Sequence, residues 1–167
     1  MPFYLNTLKS YSEFTKFKSV LIIPCRFCPA ASFSVINNEP YIELFRKFLA
    51  TESYERHIKS LKSKLEKEGI KVDVFKSKII HQFVLCMWTL KRRKKLMERA
   101  KNYEAIIVLG CEAAVKTIQD SIKQSSCKVF QGLETKGIMS IQPKFTLTGK
   151  ISLNMESLTP LLMQKEQ

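Results

Sequence analysis

The spacing of hydrophobic positions changes several times along the chain, and each change marks an element. Residues 20–23 are a continuous apolar run, Val20, Leu21, Ile22 and Ile23, as a strand covered on both faces requires. Residues 105–109 repeat that character. Residues 70–75 alternate Ile70, Val72 and Val74 with Lys71 and Asp73, the period of two of a strand. A short apolar run at 128–131 predicts a fourth strand. Between these runs the period lengthens. Tyr41, Leu44, Phe45, Phe48 and Leu49 follow Pro40 at helical spacing, with proline suited to the first turn. Tyr54, Ile58, Leu61 and Leu65 predict a second helix, with Glu55 placed to pair with Lys59 and Gly69 as its stop. Residues 79–90 are apolar enough for a buried helix or a strand, and 91–101 read as helix, so the two can form one long helix. Residues 112–123 predict a further helix with Ala114, Val115, Ile118 and Ile122 inward.

Strands alternating with helices imply βαβ units, parallel pairing and right-handed crossovers. The expected fold is a single-domain α/β protein with a flavodoxin/Rossmann-like, doubly wound, mostly parallel sheet. Its core order is 2-1-3-4, counting the strands at 19–24, 70–75, 105–109 and 128–131. The α/β domain is expected over 19–153. Before it, Leu8, Tyr11, Phe14 and Phe17 recur every three residues, so 1–18 reads as an N-terminal extension or short helix. After Gly132 come a C-terminal edge hairpin from 138–141 and 145–153, then a polar tail over 154–167.

This topology sorts the cysteines. Open α/β sheets bind ligands beyond the carboxyl ends of their strands, where the strand order reverses. Here that point lies between the first and third strands. Cys25 and Cys28 follow the first as a C-x-x-C pair, and Cys111 follows the third in "AIIVLGCEAA". Three thiols distant in sequence should therefore share one crevice. Cys111 also begins a helix, whose partial positive charge favours a thiolate. Cys86 reaches the crevice if 82–88 folds back over it, whereas Cys127 precedes the fourth strand and should lie outside the site. Such thiolates suit an iron–sulfur cluster or zinc, with His81 a further ligand to weigh. The competing reading is that free cysteine is a small core hydrophobe.

Charge adds a second feature. The chain carries net charge +13 over 167 residues. Half of its 28 Lys and Arg residues lie in residues 59–101, against four acids there. Lys91, Arg92, Arg93, Lys94 and Lys95 are consecutive on an expected helix. They read as a solvated face or as a docking patch for an anionic partner, either an acidic redox protein or nucleic acid. No apolar run is long enough to span a membrane, so membrane insertion is not expected. Pro24, Arg26 and Pro29 interrupt the apolar stretch that follows Lys16 and Lys18, which argues against a signal peptide and for a cytoplasmic protein. There is no G-x-G-x-x-G, P-loop or nucleophile elbow. Anion binding at the helix start by Gly110 and Glu112 stays open.

The segments "PCRFCPAAS", "AIIVLGCEAAVKTI" and "VFQGLETKGI" resemble, over residues 19–140, the C-terminal-type, cysteine-rich domain or small subunit of bacterial and archaeal methylenetetrahydrofolate reductases. The matching positions are Cys25, Cys28, Leu109, Gly110, Cys111, Gly132, Leu133 and Thr135. Three positions depart from that pattern: Ser32 stands where a third cysteine would, and Arg26 and Glu112 replace glycines. The resemblance implies an iron–sulfur or metal-binding accessory subunit of a larger enzyme, in electron transfer or structure, in one-carbon or anaerobic redox metabolism. Cys86 would then replace the missing ligand. The alternatives are a metal-free thiol redox protein using Cys25 and Cys28, and a basic nucleic-acid-binding module with structural cysteines.

Overall fold

A computed structural model of the chain describes residues 2–8, 14–43, 51–75, 84–147 and 149–162. The elements in order are β1 (Pro2–Leu8), β2 (Ser19–Pro24), α1 (Cys28–Asn37), β3 (Ile42–Glu43), α2 (Glu52–Lys67), β4 (Lys71–Val74) and a 3₁₀ turn (Leu85–Met87). Then come α3 (Leu90–Ala100), β5 (Ala105–Leu109), α4 (Glu112–Ser121), β6 (Lys128–Gln131), β7 (Leu133–Phe145) and β8 (Lys150–Leu162). Four strands form a parallel sheet in the order β4-β2-β5-β6, which is the expected 2-1-3-4 arrangement.

Burial explains why these strands are apolar throughout. Val20, Ile22, Ala105 and Ile107 face one core, with Tyr54, Ile58, Leu61 and Leu65 of α2 packed over them. Leu21, Ile23, Ile106 and Val108 face the other, against Leu96 of α3 and Ala114 and Ile118 of α4. Successive side chains point to opposite faces, so a strand between two helical layers must be apolar at every position. Gly69 closes α2 at φ 78°, a conformation that glycine adopts at little cost.

A second, antiparallel sheet runs in the order β1-β7-β8-β3. The expected hairpin is its β7–β8 pair, but both ends of the sequence reading need correction. Pro2–Leu8 is a strand paired with β7 from Pro2↔Ser140 to Leu8↔Leu133, not the start of a helix. Phe14 and Phe17 lie in a turn and pack on Phe130, at 5.3 and 5.4 Å between ring centroids. The polar tail expected from residue 154 instead continues β8 to Leu162, held by pairing with Gly137 to Ser140. Ile42–Glu43 is a short strand on β8 where a helix was expected, and the rest of that pattern lies outside the described residues. Residues 79–90 and 91–101 do not form one long helix: α3 starts at Leu90, after the 3₁₀ turn. No helix among the described residues is long and apolar enough to cross a membrane.

At the last crossing between the two sheets the link is a single residue. Gly132 links β6 to β7, and its N–H donates to the Val108 carbonyl at 2.8 Å. A Cβ here would stand 2.7 Å from both Ile107 Cγ2 and Leu109 Cδ2. Gly132→Ala should therefore overpack this junction and destabilise the fold by about 1–3 kcal/mol, measured by urea unfolding.

Candidate thiol site at the switch point

The parallel register sets Pro24 opposite Leu109, so the carboxyl tips of β2 and β5 lie side by side. The chain continues into the crevice from both. The Cys25 N–H donates to the Leu109 carbonyl at 2.9 Å. The buried Tyr54 hydroxyl donates to the same oxygen at 3.0 Å. A Cβ on Gly110 would stand 2.7 Å from Ala114 Cβ and 3.3 Å from Cys25 Cβ. Only glycine lets β5 turn into α4 while Cys25 remains beside it.

Between the two cysteines, Arg26 forms a two-pronged ion pair with Glu55 of α2, at 2.6 Å from Nε and 3.2 Å from Nη2. The planar guanidinium fixes both distance and angle. The C-x-x-C loop is thus tied to α2 at its second residue. Cys28 then opens α1, with Pro29 behind it, and the helix carries Ser32 into the core. The Ser32 hydroxyl donates to the Cys28 carbonyl at 3.0 Å, one turn back. The residue that stands in place of a third cysteine is thus turned onto its own helix backbone.

Four sequence-predicted thiols converge here. Cys111 is the N-cap of α4 and is 5% exposed. The Cys28 thiol hydrogen-bonds to its sulfur, the largest cause of a pKa pulled down to about 6. Burial opposes that shift. The N–H groups of Ala114 and Ala113 favour the charge although they make no capping bond within ordinary limits, because the first turn of a helix carries positive potential. Cys25, 4% exposed, is pushed the other way, up to about 11, chiefly by burial. Backbone bonds at Leu85 and Phe27 partly offset this, and the Cys111 and Cys86 charges add to it. Cys86 sits on the 3₁₀ turn, which packs against α4, and is exposed. Desolvation on its inner side and then Cys111 raise its pKa. Cys25 therefore stays a thiol where Cys111 is already a thiolate.

The other candidates fall elsewhere or change role. Cys127 precedes β6, whose first residue pairs with the start of β5, so it lies at the amino end of the sheet. At the α4 N-terminus expected to take an anion, the Glu112 carboxylate accepts from Thr135 Oγ1 at 2.6 Å and Gln131 Nε2 at 3.1 Å. Gly110 serves as the close-packed turn. His57 stacks on Phe33 at 5.0 Å, and burial, with Lys64 nearby, pushes it down to about 4. His81 lies outside the described residues. Sequence reading missed Tyr54 and the Arg26–Glu55 pair, because the partners are 55 and 29 residues apart. It also missed Tyr41, whose hydroxyl is pushed up by burial and then by the Cys28 and Cys25 charges.

A resident cluster or structural zinc needs four ligands. Among the described residues, no three His, Cys, Asp or Glu side chains form a group that could hold a metal ion. Cys86 is exposed on the 3₁₀ turn, while Cys25 and Cys111 are buried. The thiols as placed do not make a ligand set, and no step below runs through a metal. Comparison with family models, curated proteins and solved structures found no match to this chain.

The shifts fix a pH dependence. Cys111 is lowered from its ordinary 9.0, so its contribution to stability is full above pH 9 and is lost as pH falls through about 6. Cys25 is raised, so its contribution holds below pH 9 and is lost as pH rises through about 11. Urea midpoints should climb from pH 6 to 9 in the native protein, and Cys111→Ser should flatten that climb. Gly110→Ala should shift the pH profile of iodoacetamide alkylation at Cys111 upward, by forcing α4 away from Cys25 and Cys28. An unchanged alkylation profile would show that the close approach does not set the thiolate.

Proposed function

We propose that the crevice is a dithiol–disulfide redox site made by Cys28 and Cys111, in an accessory subunit of a larger redox enzyme. The single observation that carries this reading is that the paired tips of β2 and β5 set Cys28 close enough to Cys111 to be the main cause of its lowered pKa. That arrangement joins a half-buried thiol to a thiolate across two strand tips. The pairing differs from the C-x-x-C pair expected from sequence, since Cys25 is the more buried and the less acidic thiol. The resemblance of "PCRFCPAAS" and "LGC" to methylenetetrahydrofolate reductase C-terminal-type domains supports an accessory role beside a catalytic partner.

The chemistry balances as thiol–disulfide exchange with a partner's disulfide. Cys28, the more accessible, passes its proton along the hydrogen bond to Cys111 and attacks one partner sulfur. The partner's S–S bond breaks, and its other sulfur leaves as a thiolate. Cys111 then releases its proton to that thiolate and attacks the Cys28 sulfur of the mixed disulfide. A Cys28–Cys111 disulfide forms, and the partner leaves two electrons richer with one thiol and one thiolate, the latter taking its proton from water. The lowered pKa of Cys111 makes it a serviceable base near neutral pH.

The test is anaerobic purification with iron, sulfide and zinc analysis, followed by oxidation with oxidised glutathione and peptide mapping. The expected product is metal-free, with one Cys28–Cys111 linkage that Cys28→Ser and Cys111→Ser each abolish and Cys25→Ala retains. A Cys25–Cys28 linkage would overturn the pairing. Stoichiometric iron and sulfide, or zinc, would favour the cluster or metal site that the resemblance implies. A reduced protein that never forms an internal disulfide would leave the thiols as packing groups.

A further inference from the structure

The rim of the thiol site carries an arrangement that folding alone does not favour. Helix α3 has no acidic residue in its first turn, and Lys91, Arg92 and Arg93 open it instead. Helix α2 follows the opposite and favourable rule, with Glu52 and Glu55 first and Lys64 and Lys67 last. Thr89, the N-cap of α3, makes no side-chain capping bond. Positive side chains thus crowd the positive end of the helix dipole. Lys91, Lys94 and Lys95 are exposed, and no carboxylate of the described residues pairs with them. Just before them, Met87 is 75% and Leu90 78% exposed. Cys86, exposed beside Met87, is close enough to Cys111 to feel its charge. Arg93 Nε donates to the Trp88 carbonyl at 3.2 Å, but the three lysines have no carboxylate among the described residues, and that points to a partner that supplies it.

We infer that the Met87–Lys95 rim is a docking surface for an acidic protein with an apolar spot between its carboxylates. Carboxylates landing at the start of α3 meet unpaired lysines and the helix dipole together. An apolar side chain of the partner covers Met87 and Leu90. This placement brings the partner's surface to Cys86 and so to the mouth of the crevice. Nucleic acid would use the cations but would gain nothing from Met87 or Leu90, and Trp88, the one aromatic beside them, is 5% exposed and cannot stack on a base. An anionic membrane would need a broad apolar helix face, and on α3 the apolar Leu96 and Ala100 are spent in the core. The inference rests on the dithiol reading for what the partner carries, but not for where it binds.

The test uses fluorescence anisotropy on the full chain. Three probes are compared: a labelled glutamate-rich peptide bearing two leucines, single-stranded DNA of equal charge, and phosphatidylserine vesicles. The peptide should bind tightest and weaken as salt is raised. K91E/K94E/K95E should weaken peptide binding about tenfold or more. The same variant should match or exceed the native melting temperature, because glutamate suits the start of a helix. M87S/L90S should weaken the peptide about fivefold and leave DNA unaffected. DNA or vesicles binding tighter than the peptide, or M87S/L90S leaving peptide affinity unchanged, would overturn the inference. Cys28→Ser should bind the peptide as the native protein does. If the native protein binds the peptide while oxidised glutathione forms no Cys28–Cys111 disulfide in it, the docking surface stands and the redox reading alone fails.

Discussion

The Leu109 carbonyl is the point on which the site depends. It receives the Cys25 N–H at 2.9 Å and the Tyr54 hydroxyl at 3.0 Å. One oxygen therefore joins the tip of β2, the tip of β5 and the first turn of α2. Both lone pairs of a buried acceptor are used, so the strand tips have no competing partner to drift toward. The parallel ladder behind them is continuous from Val20↔Ala105 to Pro24↔Leu109, and the thiol crevice is its direct extension. The Arg26–Glu55 pair then repeats the link from the outside, between the same loop and the same helix.

This arrangement divides four chemically identical side chains into different species. Cys25 lies against Gly110 under full burial and keeps its proton. Cys111, at the neighbouring strand tip, has Cys28 on one side and a helix start on the other, and its pKa is pulled down to about 6. Environment, not residue type, sets which thiol reacts. The C-x-x-C pair spans two kinds of element. Cys25 ends a strand while Cys28 opens a helix, so the turn at Arg26 and Phe27 carries Cys28 toward the neighbouring tip.

Much of this was legible in the sequence. The unbroken apolar runs at Val20–Ile23 and Ala105–Leu109 could only belong to a sheet covered on both faces, and that fixed the crevice and three of its thiols. Cys86 depended on the segment after β4 folding back; it comes close enough to Cys111 to feel its charge, yet it stays exposed. The two errors at the ends share one cause. β1 and the far half of β8 are held by a ladder to residues more than a hundred positions away or across a long hairpin, and such pairing leaves no local period. The three-residue spacing of Leu8, Tyr11, Phe14 and Phe17 imitated a helix because a strand end and a turn happened to share it. Tyr54 read as a core residue of α2, which it is; its hydroxyl's partner could not be seen without the fold.

The pairing of β1 with β7 also sets an order of assembly. Every pairing of the parallel sheet can close once residue 131 is available, across separations shorter than those of β1. β1 must wait for Leu133–Ser140, at the far end of the chain. Closing so long a loop is entropically slow, so β1 is expected to dock after the parallel sheet has formed. Until then one edge of the second sheet stands open, and the nascent protein carries a completed thiol crevice beside an unfinished edge strand.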